Sequence, residues 1–415
     1  MANIGNYVIY LIMICAVIGA FASIRDPEKG LGAEFISGLY SIGPIFVPVA
    51  GIMASIPYLS QIIPAVFGPL FTAIGADPAI AATTFIAVDM GGYQLADALA
   101  QTREGWIIAM VVGYMSGATI VFSIPVGLAM LKKSDHKYMA LGIMAGILSV
   151  PVGVFVACAI LAISNPGVRD TIATNTESSL MLALDGGSIL INILPLIAIC
   201  LIIAVGLKVF PSHMIRGFLW FGRAMDAALK LVLVFSIVEY FTGVFTNVFG
   251  GWGFDPIIAD QADMFRALEI AGYIGIMLSG AFPMVYMIKK YLAGPMETIG
   301  GRLGMQSVGA AGILAASANI LAMFHLIEDM KARDKVLCIA FAVCGAFMFG
   351  DHLAFTANFQ PNLVLPILLG KLTGGIFGFI LALWIAVPAA LRLEQDRALD
   401  DEDNSEKKNQ ELGSV

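Results

Sequence analysis

The stretch I-L-I-N-I-L-P-L-I-A-I-C-L-I-I-A-V-G-L-K-V, Ile189–Val209, carries a single charge, Lys208, near its end. Wound as a helix rising about 1.5 Å per residue, it is long enough to cross a hydrocarbon core of about 30 Å. Comparable runs lie on both sides of it: Tyr7–Ile24, Phe35–Ile56, Trp106–Leu131, Tyr138–Ile163, Phe218–Phe245, Ala267–Ile288, Val336–Phe359 and Leu363–Val387. Phe218–Phe245 is the least clean, because Arg223, Asp226 and Lys230 crowd its first half. Hydrophobic types make up 59% of the 415 residues and charged types only 13%, about half the charged share of soluble domains. That much apolar surface needs lipid as its solvent. The chain reads as an all-α polytopic membrane protein with about nine full spans.

Two further apolar regions are punctuated. Gln61–Ala100 contains Pro64, Pro69, Gly75, Pro78 and Gly91-Gly92, and Leu292–Leu326 contains Pro295, Gly300-Gly301, Gly304 and Asn319. They read as interrupted helical hairpins whose exposed backbone lines a protein-walled cavity. The N-terminal run contains Ala20-Phe21-Ala22, which resembles a cleavage site, but no basic residue precedes it, so it reads as a retained span. Residues 1–391 read as one transport domain and 392–415 as a disordered acidic tail, with eight acidic and four basic residues.

Basic residues gather at Lys132/Lys133/Lys137, Lys208/Arg216, Lys289/Lys290 and Lys331/Arg333/Lys335, whereas Thr246–Met264 has none. The positive-inside rule then puts the N-terminus outside and the tail inside. A shift of 229–230 residues brings Gly75 over Gly304, the Asp89 region over Asn319 and Arg103 over Arg333. Arg103 falls outside and Arg333 inside, so residues 36–163 and 266–388 read as inverted repeats, a construction that puts a solute site near the midplane.

Ionisable groups within spans are costly and mark function by default. Asp89 lies in A-V-D-M-G-G-Y (Ala87–Tyr93), and Asp351 and His352 lie in F-G-D-H-L-A-F (Phe349–Phe355). Each carboxylate sits beside glycine, where a helix can break and present backbone to a ligand. These three, with Asn319 as an amide partner and Asn358 one helix face along from Asp351, are the candidate solute ligands. Tyr93, Phe122 and Phe355 are candidate aromatic contacts for a cation. His352, with Asp351, is a candidate proton relay, or else simply orients that carboxylate. Lys371 either snorkels or neutralises a carboxylate, and Pro125 marks a mid-span kink. Arg266 with Glu269, and Arg223 with Asp226, have the spacing of helix-surface pairs. The five cysteines, all in apolar segments and without a C-x-x-C pair, read as packing residues. No catalytic motif, metal-ligand spacing, cofactor-binding loop or basic nucleic-acid patch is present in the sequence.

The segments A-V-D-M-G-G-Y, A-T-I-V-F-S-I-P-V (Ala118–Val126), R-A-L-E-I-A-G (Arg266–Gly272), G-A-F-P-M-V (Gly280–Val285), F-G-D-H-L-A-F and G-K-L-T-G-G (Gly370–Gly375) together resemble the EutH-type ethanolamine transporters of bacteria. They are spread from about Gly38 to Val387. The resemblance implies uptake of ethanolamine for a cytoplasmic ammonia-lyase pathway, leaving a related small amine open as substrate. The residues suit that solute independently: a carboxylate for the ammonium, an amide for the hydroxyl. Membrane lipid is the surrounding partner, and a homodimer is expected by analogy with hairpin-containing carriers. A membrane sensor or scaffold lacks a soluble signalling domain here, and an intramembrane enzyme lacks a catalytic constellation. The orientation is checked by single-cysteine labelling. A cysteine at Ser134 should react only from the cytoplasmic side and one at Asn247 only from the periplasmic side; the reverse pattern overturns both orientation and inversion.

Overall fold

The computed structural model describes residues 4–396. Helix α1 (Ile4–Arg25) is followed by α2 (Gly30–Tyr40) and α3 (Ile42–Ala54), which join at Ser41, then by α4 (Ile56–Val66) and α5 (Gly68–Ala73). Two half-helices come next, α6 (Ala79–Phe85) and α7 (Gly92–Leu99), with a 3-10 turn at Val88–Met90 between them. One long span combines α8 (Arg103–Val112), a π-helical segment Gly113–Ser123 and α9 (Ile124–Met130). After it run α10 (His136–Ile147), α11 (Val150–Ser164), α12 (Gly186–Val209), α13 (Pro211–Thr242), α14 (Val244–Phe249) and the long α15 (Ala267–Arg302). A second pair of half-helices, α16 (Ser307–Ala318) and α17 (Ile320–Ile327), precedes α18 (Ala332–Gly345), α19 (Asp351–Phe359) and α20 (Val364–Ile385). The Val168–Leu180 bridge is the sole strand-like pairing among the described residues. Residues 387–396 are helical; the rest of the expected acidic tail, 397–415, lies outside the described residues.

Seven helices among the described residues are long and apolar enough to cross a membrane, so the chain is a multi-pass membrane protein. Two of the nine expected runs differ from that description. α13 has the length but carries Arg223, Asp226 and Lys230 in its first half. Val336–Phe359 is not continuous: α18 stops at Gly345, and Phe347 turns into the left-handed region at φ +59° before α19 begins. In the other direction, α15 continues through Pro283 and Pro295 to Arg302, so the second interrupted region begins ten residues later than its prolines suggest. A proline removes one helix hydrogen bond, a loss that membrane helices tolerate.

The backbone groups released at the breaks find partners inside the protein. At the end of α16, the carbonyls of Ala316 and Ser317 accept the N–H groups of Phe347 (3.1 Å) and Phe349 (2.9 Å) from the α18–α19 break. At the end of α6, the Thr84 carbonyl accepts the Ser116 hydroxyl at 2.8 Å. Asn319 caps α17, its Oδ1 accepting Leu321 N–H at 2.9 Å. The expected kink near Pro125 takes the form of the π-helical segment that ends just before it.

Each pair of half-helices is entered through the same turn. Gly75 (φ +76°) and Gly304 (φ +73°) each end a helix in a Schellman arrangement, with Ala76 N–H on Phe71 O at 2.9 Å and Met305 N–H on Gly300 O at 2.8 Å. The next residue then fastens the loop ahead of the following long helix. Asp77 accepts the N–H groups of Gln101 and Thr102, and Gln306 accepts that of Lys331.

α8 and α18 are almost wholly enclosed, whereas α13 buries only Phe218 and Ser236 and lies at the lipid-facing rim. The five cysteines are buried and free. Neither expected helix-surface pair forms. Arg266 is the N-cap of α15, off the helix face, and lies instead against Asp260 (3.3 Å) and Asp263 (3.7 Å), while Glu269 accepts Ala259 N–H. Asp226 pairs with Lys230, one turn along, at 2.7 Å.

α11 and α20 cross at glycines. A Cβ built on Gly374 would stand 2.9 Å from the Cys344 side chain and 3.2 Å from Gly153 Cα. Small residues here let backbones approach, the main source of helix affinity in lipid. Gly374→Leu should therefore destabilise by about 1–3 kcal/mol through overpacking. Gly272→Ala, where nothing lies within 4 Å, should not. Thermal midpoints in detergent distinguish the two, and equal midpoints would remove the crossing from the account.

Candidate functional site

The two helix breaks meet around a cavity of about 270 Å³, lined by Asp89, Asn319, Asp351 and His352 together with Phe122 and Phe347. Asp89 sits in the 3-10 turn between α6 and α7. Gly91 follows at φ +91°, and a Cβ there would press on Ile52 at 2.9 Å. Both the left-handed backbone and the close approach of α3 therefore require glycine. Asp351 and His352 occupy the first turn of α19, immediately beyond the α18–α19 break. Asn319 has committed its Oδ1 to capping α17, which leaves its amide N–H donors for a ligand.

Across the cavity His352 Nε2 lies 3.9 Å from Asp89 Oδ1, beyond hydrogen-bond reach. Asp89 Oδ1 and His352 Nδ1 are both buried with no hydrogen-bond partner. Leaving such a group unmet costs about 1–3 kcal/mol, more if it is charged. Asp89 and Asp351 also interact electrostatically with one another. The arrangement holds two carboxylates short of positive charge and short of donors, which suits a small cation that can also hydrogen-bond.

Lys371 does not supply that charge by contact. It is fully buried, and its Nζ donates to the Tyr114 carbonyl at 2.8 Å, with no ion pair among the described residues. Tyr114 lies in the π-helical segment, whose wider turn releases carbonyls from the helix ladder. The Tyr114 and Thr356 hydroxyls bond each other at 2.7 Å, and Tyr114 packs on His352 with ring centres 4.8 Å apart. Lys371 thus neither snorkels nor pairs with a carboxylate, but ties α20 to the π-helical segment behind the histidine.

Three expected ligands lie outside the cavity lining. Tyr93 stacks on Trp106 at 4.7 Å, accepts a hydrogen bond from Gln360 Nε2 at 2.9 Å and meets Phe355 edge-on at 5.6 Å. Tyr93 and Phe355 form a packed aromatic layer. Asn358 has spent its amide group on the carbonyls of Tyr273 and Ala354, fastening α19 to α15. Sequence reasoning missed Ser37, Ser41, Pro48 and Met90, which also line the cavity. Those on α2 and α3 reach it only because α2 packs along α15, and no local signal carries that. No cluster of three or more metal-ligating side chains occurs among the described residues.

A family model described as "Ethanolamine utilisation protein, EutH" matches residues 4–385. The chain is similar to the protein named "Probable ethanolamine permease EutH" of Listeria monocytogenes, 36% identical over 92% of this chain and 95% of the relative. The Escherichia coli protein of the same name is 34% identical over 84% of each chain. A Bacillus subtilis protein, "Uncharacterized protein YxeR", is 31% identical over 95% of this chain and 98% of its own. No solved structure matches significantly. The family match runs through the two helix breaks and the cavity between them, and the chain belongs to the EutH family of ethanolamine utilisation proteins.

Proposed function

We propose that the chain imports ethanolamine across a bacterial inner membrane for catabolism, binding it in the cavity between the two helix breaks. The observation that carries this reading is the pairing of Asp89 and Asp351 around one cavity with the Asp89 Oδ1 acceptor unmet. Ethanolamine is a primary ammonium at neutral pH with one hydroxyl. The carboxylates take the ammonium, and the Asn319 amide offers a donor to the hydroxyl. The relatives' name, ethanolamine permease, supports the same solute and a carrier rather than an enzyme.

Inverted repeats over residues 36–163 and 266–388 belong to this reading. The matching Gly75 and Gly304 turns and the two sets of half-helices support it. So does the opposite sidedness of the Arg103 and Arg333 loops under the positive-inside rule. The same rule places the N-terminus in the periplasm and the tail in the cytoplasm. His352 with Asp351 is the proposed proton-coupling pair: the two adjoin in the first turn of α19, and His352 Nε2 faces Asp89 Oδ1 across the cavity at 3.9 Å.

Uptake of radiolabelled ethanolamine into proteoliposomes tests the assignment. Asp89→Asn or Asp351→Asn keeps side-chain size but leaves the bound ammonium unpaired, a loss of about 3–5 kcal/mol. That corresponds to roughly two to three orders of magnitude in affinity. Folded Asn variants at both positions with parental affinity would overturn the site. His352→Gln should flatten the pH dependence of uptake more than it weakens binding; an unchanged pH profile removes the histidine from coupling.

A further inference from the structure

A second cavity, of about 190 Å³, lies along α7. Gln94, Asp97, Asp255, Asp263, Arg266 and Met53 line it. Gln94 and Asp97 are three residues apart and share a face of α7. Asp255, Asp263 and Arg266 come from the segment between α14 and α15, which includes the stretch free of lysine and arginine.

Two independent features mark this cavity as a candidate site. The first is charge. Arg266 is the one lining cation, and it is shared among Asp260 at 3.3 Å, Asp263 at 3.7 Å and Asp255 at 4.0 Å. Asp97 is already engaged with Arg103 at 2.5 Å, which also serves Asp170. One guanidinium cannot neutralise three carboxylates. Burial raises the Asp255 carboxyl above its usual range, Arg266 lowers it, and Asp263 and Asp260 raise it again. The second feature is the Gln94 carboxamide. Its side chain is 5% exposed, and neither its oxygen nor its nitrogen has a hydrogen-bond partner. A buried amide with both ends unmet and an excess of negative charge beside it fit a ligand that is cationic, donates hydrogen bonds and also accepts one.

We propose that this cavity is a second binding site, an outer one, for a small primary alkylammonium bearing a hydroxyl, which holds the solute before it reaches Asp89. The inference rests on the carrier reading given above. The two cavities share their walls. α3 contributes Pro44, Ile45 and Pro48 to the inner one and Met53 to the outer, and the chain from Asp89 to Ala98 runs from one into the other. Gly91, on the chain that joins them, packs against Ile52 and Met53 of α3. In the proposed orientation the outer cavity opens on the periplasmic side, where substrate arrives.

The experiment is calorimetric titration of ethanolamine into the full-length protein in nanodiscs, combined with proteoliposome uptake. The wild type should show two sites. Gln94→Met, which keeps size and removes both polar ends, should show one and raise the half-saturation concentration for uptake about tenfold. Ala98→Trp places bulk at the exposed mouth of the cavity, away from the packed core, and should act the same way should the Gln94 variant fail to fold. Asp89→Asn should lose the other site. One wild-type site that survives Gln94→Met and Ala98→Trp but not Asp89→Asn overturns the outer site and leaves the carrier reading intact. One site lost in Gln94→Met but kept in Asp89→Asn overturns the inner assignment and keeps the outer. No binding by the wild type overturns both.

Discussion

Every backbone N–H and C=O within a bilayer must be paired inside the protein, because hydrocarbon offers no partner and each unmet group costs several kcal/mol. A helix broken at mid-depth is therefore affordable only when something else takes up its ends. Here neighbouring spans take up those ends. The last carbonyls of α16 accept N–H groups from the α18–α19 break, and the Thr84 carbonyl near the end of α6 is met by a serine from the π-helical segment. Those bonds fix each break in place, and the Asp89, Asp351, His352 and Asn319 side chains line one cavity there.

The same logic separates the polar groups that build the protein from those available to a solute. Lys371, Thr356, Tyr114, Gln360 and Asn358 are deeply buried, and each donates to or accepts from a named partner. Asp89 Oδ1, His352 Nδ1 and the Gln94 amide are equally buried and have none. Arg169 shows how far the first group goes. Its guanidinium is spent on the carbonyls of Ala173, Thr174, Thr176 and Asn358, closing a loop over the end of α19. A charge bonded wholly to backbone is structural. A carboxylate with an unmet oxygen beside a cavity is free to meet a ligand. The lysine, although the more conspicuous ion in an apolar run, belongs with the arginine.

The membrane class, the apolar runs and the glycine-flanked carboxylates were legible in the chain itself. Lipid-spanning hydropathy is a local property, and an aspartate in an apolar segment announces its own cost. Gly75, Gly91 and Gly304 each adopt the left-handed backbone that glycine best tolerates. The family segments carried the solute class. Gly350 beside Asp351 marked a place for a break, but the start of that break at Ala346 and the left-handed Phe347 were not legible, because that turn is held by bonds to α16. Nor was the fate of Lys371, since a lysine and a carbonyl 257 residues away in the chain meet only after packing.

Asn358 and Asp351 share a helix and a face, yet one is spent on the Tyr273 carbonyl and the other lines a cavity. Helical periodicity assigns a face but not its neighbour, and here the neighbour is α15. Composition, run length and the placement of glycine determine by themselves that this chain crosses a membrane several times and breaks its helices at carboxylates, because these follow from the free energy of single residues in lipid. Which of the buried polar groups remain unmet is a property of pairs distant in sequence, and only the tertiary packing of one broken segment against the other decided it.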